Sequence, residues 1–425
     1  MTRLLFASVM LMALPLAAES PALPTEASKA PLSLQDAMHL ATQSQPLLQS
    51  FDDAASASRE AAIAEGQLPD PKLKLGVVNL PVTTSDALRF NRDEMTMAAI
   101  GFSQEVVPRA KREAYARVLE SEAEQYQTEQ LATVRDIQRS VAMAWLDVFE
   151  AQRKSELYQQ IVEDMLAERK VAAASVSSGA TQSDEVLLLD RTQSMTRDQW
   201  LLVQRDERKA RAALARWIGP EAASRPISSE LPVTEPVVEM DALENHPLLQ
   251  HARQTETLAL SELERARTQR LRNWEWEVSY GRRFNDLSDM IAFQVAIDLQ
   301  TDRANRQDRR AAEKQLLAEK ARKLIDDKRR QLSNELQDAR ADWETAVARE
   351  EEHQKRLIPA TDIRLSLAEA NYAVGAQSLL KIWEARRSVL EVQIEHWAIL
   401  TDKQRAAVNL GYLLNDDHLF PRSQP

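Results

Sequence analysis

The chain has 425 residues, 28% of them charged and only 5% aromatic, with 8 glycines and no cysteine. That composition favours long helices over a compact α/β enzyme, and the absence of cysteine excludes disulfides, thiolate metal sites, a thiol nucleophile and a lipidated N-terminal Cys. A net charge of −11 argues against a nucleic-acid partner, which has to be met with basic residues.

Residues 1–20 read as a secretory signal: Arg3 is the basic start, an apolar run follows from Leu4 to Leu14, and small residues stand at Ala17, Ala18 and Ser20. No second apolar segment of ~20 residues occurs, so no helix is expected to cross a bilayer. Residues 21–32 are rich in Pro and Ala. Ser33 to Asp36 resembles a capping box opening a short helix, and Pro46 starts another that ends near Gly66. A break at Leu68-Pro69-Asp70-Pro71 leads to an expected strand over 73–78, a polar loop over 79–94 and a second strand over 95–107.

Residues 109–178 contain no Gly or Pro, the two residues that most reliably end a helix. Val134, Ile137, Val141, Trp145 and Val148 recur three or four apart and mark one apolar stripe. A single helix of this length would run ~105 Å at ~1.5 Å per residue, and such a rod needs partners along its whole stripe. A return helix is expected over 182–218. The prolines at 220, 226, 232 and 236 then give 221–238 the composition of a linker.

After the linker the same order recurs. Gln45-Pro46-Leu47-Leu48-Gln49 is matched by His246-Pro247-Leu248-Leu249-Gln250. Gly179-Ala180 is matched by Gly375-Ala376, and Trp200 by Trp397. The second half has a helix over 247–272, strands over 274–280 and 290–299, a long helix over 303–374 and a last helix over 378–414. In the long helix Leu332, Leu336, Ala339, Trp343 and Val347 form the stripe, and Pro359 is expected to kink it. The matches in common order point to an internal duplication, with repeats at 21–220 and 239–414 and a tail over 415–425. In each repeat the two shorter helices, stacked end to end, nearly equal the long one and are expected to cover it.

The second-repeat strands alternate strictly. Trp274, Trp276, Val278 and Tyr280 share one face against Glu275, Glu277 and Ser279. Ile291, Phe293, Val295 and Ile297 likewise oppose Ala292, Gln294, Ala296 and Asp298. Leu73, Leu75 and Val77 against Lys72 and Lys74 fit the same pattern, and 95–107 is less clean. The pattern suits a transmembrane β-barrel, apolar outside and polar inside, with Trp and Tyr at the interface. Such barrels need at least ~8 strands and one chain has four, so a membrane-spanning form must oligomerise; three chains give twelve strands. The competing reading is a soluble periplasmic coiled-coil scaffold or adaptor carrying a small sheet.

With these motifs the chain resembles the TolC-type outer membrane factors of tripartite efflux pumps and type I secretion, over about residues 33–414. The resemblance rests on the duplicated layout, on Leu68–Pro71, on Leu357-Ile358-Pro359, on Asn371-Tyr372-Ala373-Val374-Gly375, and on Leu379-Leu380 and Glu384-Ala385-Arg386. The Pro-Asp-Pro before the first strand and the compact size look most like the heavy-metal branch, the cobalt–zinc–cadmium efflux channels. The resemblance implies a fold that is mainly α with a small β part: a coiled-coil helical barrel joined to a twelve-stranded transmembrane β-barrel in a homotrimer. It implies a passive exit duct in a Gram-negative outer membrane, reaching into the periplasm, with a periplasmic adaptor and an inner-membrane pump as partners. Heavy-metal cations are the implied cargo, with drugs or secreted protein as alternatives.

The resemblance also places an adaptor contact at the turns containing Gly179 and Ala180, and Val374 and Gly375. It places a periplasmic gate at Tyr372 and Glu185, with Asp184 adjacent, Gln377 where well-known members carry Arg, and Lys381 and Glu384 at the constriction ring. Lys381 departs from an acid-only ring and argues against a simple cation-selective constriction unless it pairs with Glu384 or points away. Glu275, Glu277 and Asp298 would face the barrel lumen.

No nucleophile elbow, phosphate loop or dinucleotide fingerprint occurs, so no enzymatic activity and no cofactor are expected. The six histidines, at 39, 246, 251, 353, 396 and 418, are scattered. No metal site is expected, because a conduit must release what it carries. Met95 and Met97 read as packing residues.

Overall fold

The computed structural model describes residues 30–43, 45–177, 183–232, 240–284 and 286–420. The signal stretch, the linker residues 233–239 and the turn 178–182 lie outside the described residues. Helices α1 (Leu34–Gln43) and α2 (Pro46–Glu65) precede strands β1 (Lys72–Val78) and β2 (Met97–Val106); α3 (Arg109–Ser177), α4 (Ser183–Ile218) and the short α5 (Pro220–Ala223) follow. The second half holds α6 (Pro247–Thr268), β3 (Trp274–Arg283), β4 (Met290–Ile297), α7 (Gln307–Glu352), α8 (Ile358–Ala373) and α9 (Leu379–Leu413).

Local chemistry sets the starts and stops. Ser33 Oγ accepts from the Asp36 N–H at 3.1 Å and caps α1. Pro46 and Pro247 each occupy the first position of their helices after an extended residue, where a missing N–H costs nothing. His246 also caps α6, its Nδ1 accepting from the Leu248 N–H at 3.2 Å. The irregularity expected at Pro359 is a single π turn, His353–Leu357, between α7 and α8. The backbone stays helical on both sides, and α7 to α8 together hold about 100 Å of helix.

The helices lie side by side. α2 and α4 pack on one side of α3; α6 and α9 pack on its other side and in turn carry α7 and α8. Gln130 reaches the Leu48 carbonyl (3.0 Å), Ser121 meets Ser261 (2.9 Å), and Lys314 pairs with Glu262 (2.6 Å), one cross-helix contact for each step of that series. The pairing of short helices against each long one therefore holds, and α6 and α9 serve both rods.

The core sits at mid-height, where the stacked short helices meet: the start of α2 with the end of α4, and the start of α6 with the end of α9. Leu48, Leu214, Leu249 and Leu410 come together there with Ile137–Phe149 of α3 and Leu332 of α7. Trp145 is fully buried, stacks on Phe149 at 5.6 Å and donates from Nε1 to the Leu32 carbonyl at 3.0 Å. Leu32 itself bridges to Ile227, so chain outside the main helices joins this core.

The four strands form one antiparallel sheet in the order β1-β2-β3-β4 at one end of the helices. No helix is long and apolar enough to cross a membrane among the described residues.

Candidate functional site: the two-faced sheet and the helix tip

The register of the sheet sorts every strand residue onto one of two faces. Ser103 stands opposite Lys72 and Glu277, and Glu277 opposite Gln294; Gly101 stands opposite Lys74 and Ser279, and Ser279 opposite Ala292. This face is small and polar, and it is the concave one, carrying a shallow cavity of about 500 Å³. The other face brings Leu73, Phe102, Val278 and Phe293 into one row, and Leu75, Ile100, Tyr280 and Ile291 into the next. Phe102 and Trp276 pack with ring centroids 5.7 Å apart.

The apolar face is uncovered. Leu75 is 71% exposed, Ile291 77% and Phe293 67%, and no helix packs across the sheet among the described residues. Monomeric soluble proteins rarely expose so large an apolar patch. β1 and β4 each have a partner on one side only, so the sheet ends in two open edges. β4, Met-Ile-Ala-Phe-Gln-Val-Ala-Ile, has no charge or proline to guard its edge. The helical layer ends the same way: among the described residues no long helix packs on α2 or α4 except α3, with only the short α1 and α5 also touching α4, and none packs on α7 except α6 and α9. β1 follows α2 and β4 precedes α7, so sheet and helices are open on the same two flanks.

Glu275 and Glu277 lie on the concave polar face, where Glu277 pairs with Lys74 at 2.6 Å. Asp298 lies one residue past β4, in the alternation of Gln294 and Ala296, and its N–H donates to the Asn273 carbonyl at 3.3 Å. Met97 is on β2, its side chain lying over Gly281, and Met95 precedes the strand.

At the opposite end α8 closes on a turn with a double backbone bond: Gly375 N–H to the Tyr372 carbonyl at 2.9 Å and Ala376 N–H to the Asn371 carbonyl at 2.8 Å. Gly375 has φ +72°, the left-handed geometry that this helix stop requires. Val374, Gln377 and Tyr372 are exposed there, and Tyr372 makes no side-chain hydrogen bond among the described residues. Lys381 pairs with Glu384 within α9 at 2.7 Å. Asp184 and Glu185 fall on the first turn of α4, but their side chains, and Gly179 and Ala180 altogether, lie outside the described residues.

The structure adds residues that periodicity did not single out. Arg386 on α9 ion-pairs with Glu168 on α3 and, at 3.2 Å, with Glu369 on α8. Trp383, buried beside Met165 and Leu189, packs α9 onto α3 and α4. The signal available in sequence was Trp383 three residues before Arg386, an aromatic with a cation one turn on. Among the described residues no group of three or more His, Asp or Glu side chains is placed to hold a metal ion.

No protein-family model matches the chain, and no curated protein is similar to it in sequence. Solved structures do match its shape. The CmeC outer membrane channel of Campylobacter jejuni superposes with a TM-score of 0.76 at 13% identity, covering 90% of this chain and 85% of that one. CusC, described as folding into a transmembrane channel, gives 0.73 at 15% identity over 90% and 91% of the two chains. The outer membrane protein VceC of Vibrio cholerae gives 0.71 at 16% identity over 90% and 95%. At such identities the likeness establishes the fold alone: this chain has the fold of those proteins, long helices with a small four-stranded sheet at one end.

Proposed function

We propose that three copies of the chain form an outer membrane channel that serves as the passive exit duct of a tripartite efflux system. One observation carries this reading: a sheet with one apolar face and one polar face, open at both edges, on a helical layer open at the same flanks. Joining β4 of one copy to β1 of the next satisfies every edge, turns the exposed Leu, Ile and Phe side chains toward lipid and encloses the polar face. Two copies would give eight strands, a barrel that side chains fill; three give twelve and leave a passage. In the same step α7 of one copy covers α2 and α4 of the next, and the helices close into a tunnel.

In this reading Glu275, Glu277 and Asp298 line the lumen in the membrane. Tyr372, Asp184, Glu185, Gln377, Lys381 and Glu384 form the periplasmic gate, and the turns with Gly179, Ala180, Val374 and Gly375 meet a periplasmic adaptor that links the duct to an inner-membrane pump. The Lys381–Glu384 pair partly neutralises the ring, which suits a tip that does not select by charge alone. Heavy-metal cations as cargo rest on the Leu68–Pro71 resemblance.

The purified mature protein is expected to require detergent, to migrate as a trimer and to conduct ions in planar bilayers. A monomer that stays soluble without detergent would sink the duct and favour the scaffold. Deleting the gene is expected to sensitise cells to divalent heavy metals; new dye or drug sensitivity with unchanged metal tolerance would remove the metal and leave the duct.

A further inference from the structure

The chain is acidic overall, yet one zone of it is strongly basic. Residues 109–117, 265–272 and 298–310 carry twelve Arg and Lys against four Asp and Glu. The fold gathers these segments at one level, the end of the helices next to the sheet. Arg265 lies over the Tyr115 ring at 5.2 Å, Lys111 donates to Asn273 at 3.1 Å, and Arg270 pairs with Asp308 at 3.0 Å. The few acids are already shared: Asp308 also takes Arg303 at 3.5 Å, and Glu113 takes Arg109 at 2.6 Å. Arg117, Arg272, Arg306, Arg309 and Arg310 are exposed, and their side chains have no acid partner among the described residues.

We propose that this belt binds the phosphodiester headgroups of anionic phospholipids in the membrane leaflet nearest the helices. The inference rests on the barrel reading above, which places the leaflet here. Trp274 begins the lipid-facing row, and the exposed Arg272 stands two residues before it, just outside the strand. Ten residues of β3, at ~3.3 Å each and tilted by ~40°, span about 25 Å, the height of an outer-membrane apolar band. The guanidiniums thus sit just past the hydrocarbon edge, at phosphate level. Arginine suits phosphate because its planar fork can donate two parallel hydrogen bonds. A neighbouring copy could serve only Arg306, just before α7, and Arg309 and Arg310 in its first turn, which lie on the open flank. Arg117 on α3 and Arg272 after α6 lie within the width of a single chain.

The test uses the full-length mature trimer in phosphatidylcholine vesicles doped with brominated phosphatidylglycerol or brominated phosphatidylcholine. Bromine quenches nearby tryptophans, and Trp274 and Trp276 adjoin the belt. Brominated phosphatidylglycerol is expected to quench more strongly at equal mole fraction. Arg272→Gln, Arg306→Gln, Arg309→Gln and Arg310→Gln together are expected to cut that preference at least about tenfold, since each cation near a charged surface is worth about fivefold. The four Arg→Lys changes keep the charge and are expected to keep most of the preference. Excess inorganic phosphate is expected to leave it unchanged; loss of the preference in phosphate would assign the belt to the free ion and overturn the proposal. Equal quenching by both lipids in the unmodified protein overturns the belt while leaving the barrel, as does a preference that survives the Gln changes. A Gln variant that keeps the preference but splits the trimer assigns the arginines to subunit contact instead. Tryptophans quenched by neither lipid would overturn the barrel and the belt with it.

Discussion

Lys74 on β1 and Glu277 on β3 meet across a whole strand, Nζ to Oε2 at 2.6 Å, above the bare backbone of Gly101 on β2. A Cβ at Gly101 would lie 3.3 Å from the Ser279 Cβ and 3.4 Å from Glu277 Oε1, so a larger residue there would crowd this route. The pair is exposed, and its loss should change stability little. Its electrostatic role is testable. Lys74→Gln removes three positive charges from the lumen of the proposed trimer, and the reversal potential in planar bilayers under a salt gradient should move toward cation selectivity. Glu277→Gln should move it the opposite way, and the double change should return it close to the starting value. Shifts of the same sign for both single changes would place the pair outside the conducting path.

His246 gives a pH dependence with a defined sign. It is 0% exposed. Burial, reinforced by Arg135, Arg139 and Lys328, brings its pKa down from 6.5 to about 4. The neutral ring accepts the Leu248 N–H that starts α6, a role the protonated ring cannot fill. The unfolded chain binds a proton below pH 6.5 and the folded chain does not until about pH 4, so stability is complete above the first value and is lost as pH falls through that window. The loss from pH 7.5 to pH 5 should be about 2 kcal/mol per chain. His246→Asn retains a capping residue and abolishes the titration. Its melting temperature, compared with the unmodified protein in detergent, should fall less steeply over that range; parallel curves would contradict the assignment.

Sequence pattern reached furthest where a residue's neighbours in the chain are also its neighbours in space. The gap in Gly and Pro over 109–178 and the strict alternation in β3 and β4 needed nothing else. β2 blurred because it is a central strand: its polar face mixes Met97, Ala99, Gly101, Ser103 and Glu105, and the small residues in its middle let Lys74 and Glu277 meet across it. On its other face Gln104 spends its amide on the Pro69 carbonyl at 2.7 Å. The proline at 359 announced a kink near itself, whereas the departure from α geometry is a π turn already complete at Leu357. The tip was least legible, because Arg386 and Glu168 stand 218 positions apart and no local period links them.

The turn at Gly375 should be limited by backbone geometry alone. No atom lies within 4 Å of where its Cβ would go, so a substitution meets no clash, only the cost of φ +72°. Gly375→Ala should cost about 1 kcal/mol, and Gly375→Asn less. The cost should appear locally. Hydrogen exchange of the amides at 366–384 should quicken about fivefold in the alanine variant, with the melting temperature of the whole assembly little changed. A fall in melting temperature as large as that of a core substitution would mean that this turn holds more than its own helix end.

Arg386 should govern how tightly the tip holds together. It is the single side chain on α9 that reaches acids on both α3 and α8, through Glu168 and Glu369, among the described residues. A cavity of about 230 Å³ beside it, lined by Leu157, Leu365 and Leu390, leaves room for the helices to shift once it is gone. The two ion pairs are partly exposed, so together they are worth about 1 kcal/mol. In the proposed channel, removing them with Arg386→Ala should raise the open fraction of the tip about fivefold, seen in planar bilayers as longer or more frequent high-conductance events. Arg386→Lys keeps the charge but not the fork that spans two carboxylates, and should fall between. The paired change Glu168→Gln and Glu369→Gln should reproduce the alanine phenotype, since it empties the same contacts from the other side. A channel whose conductance is the same in all four proteins would show that α9 is held at the tip by Trp383 packing against Met165 and Leu189, with the ion pairs following that packing.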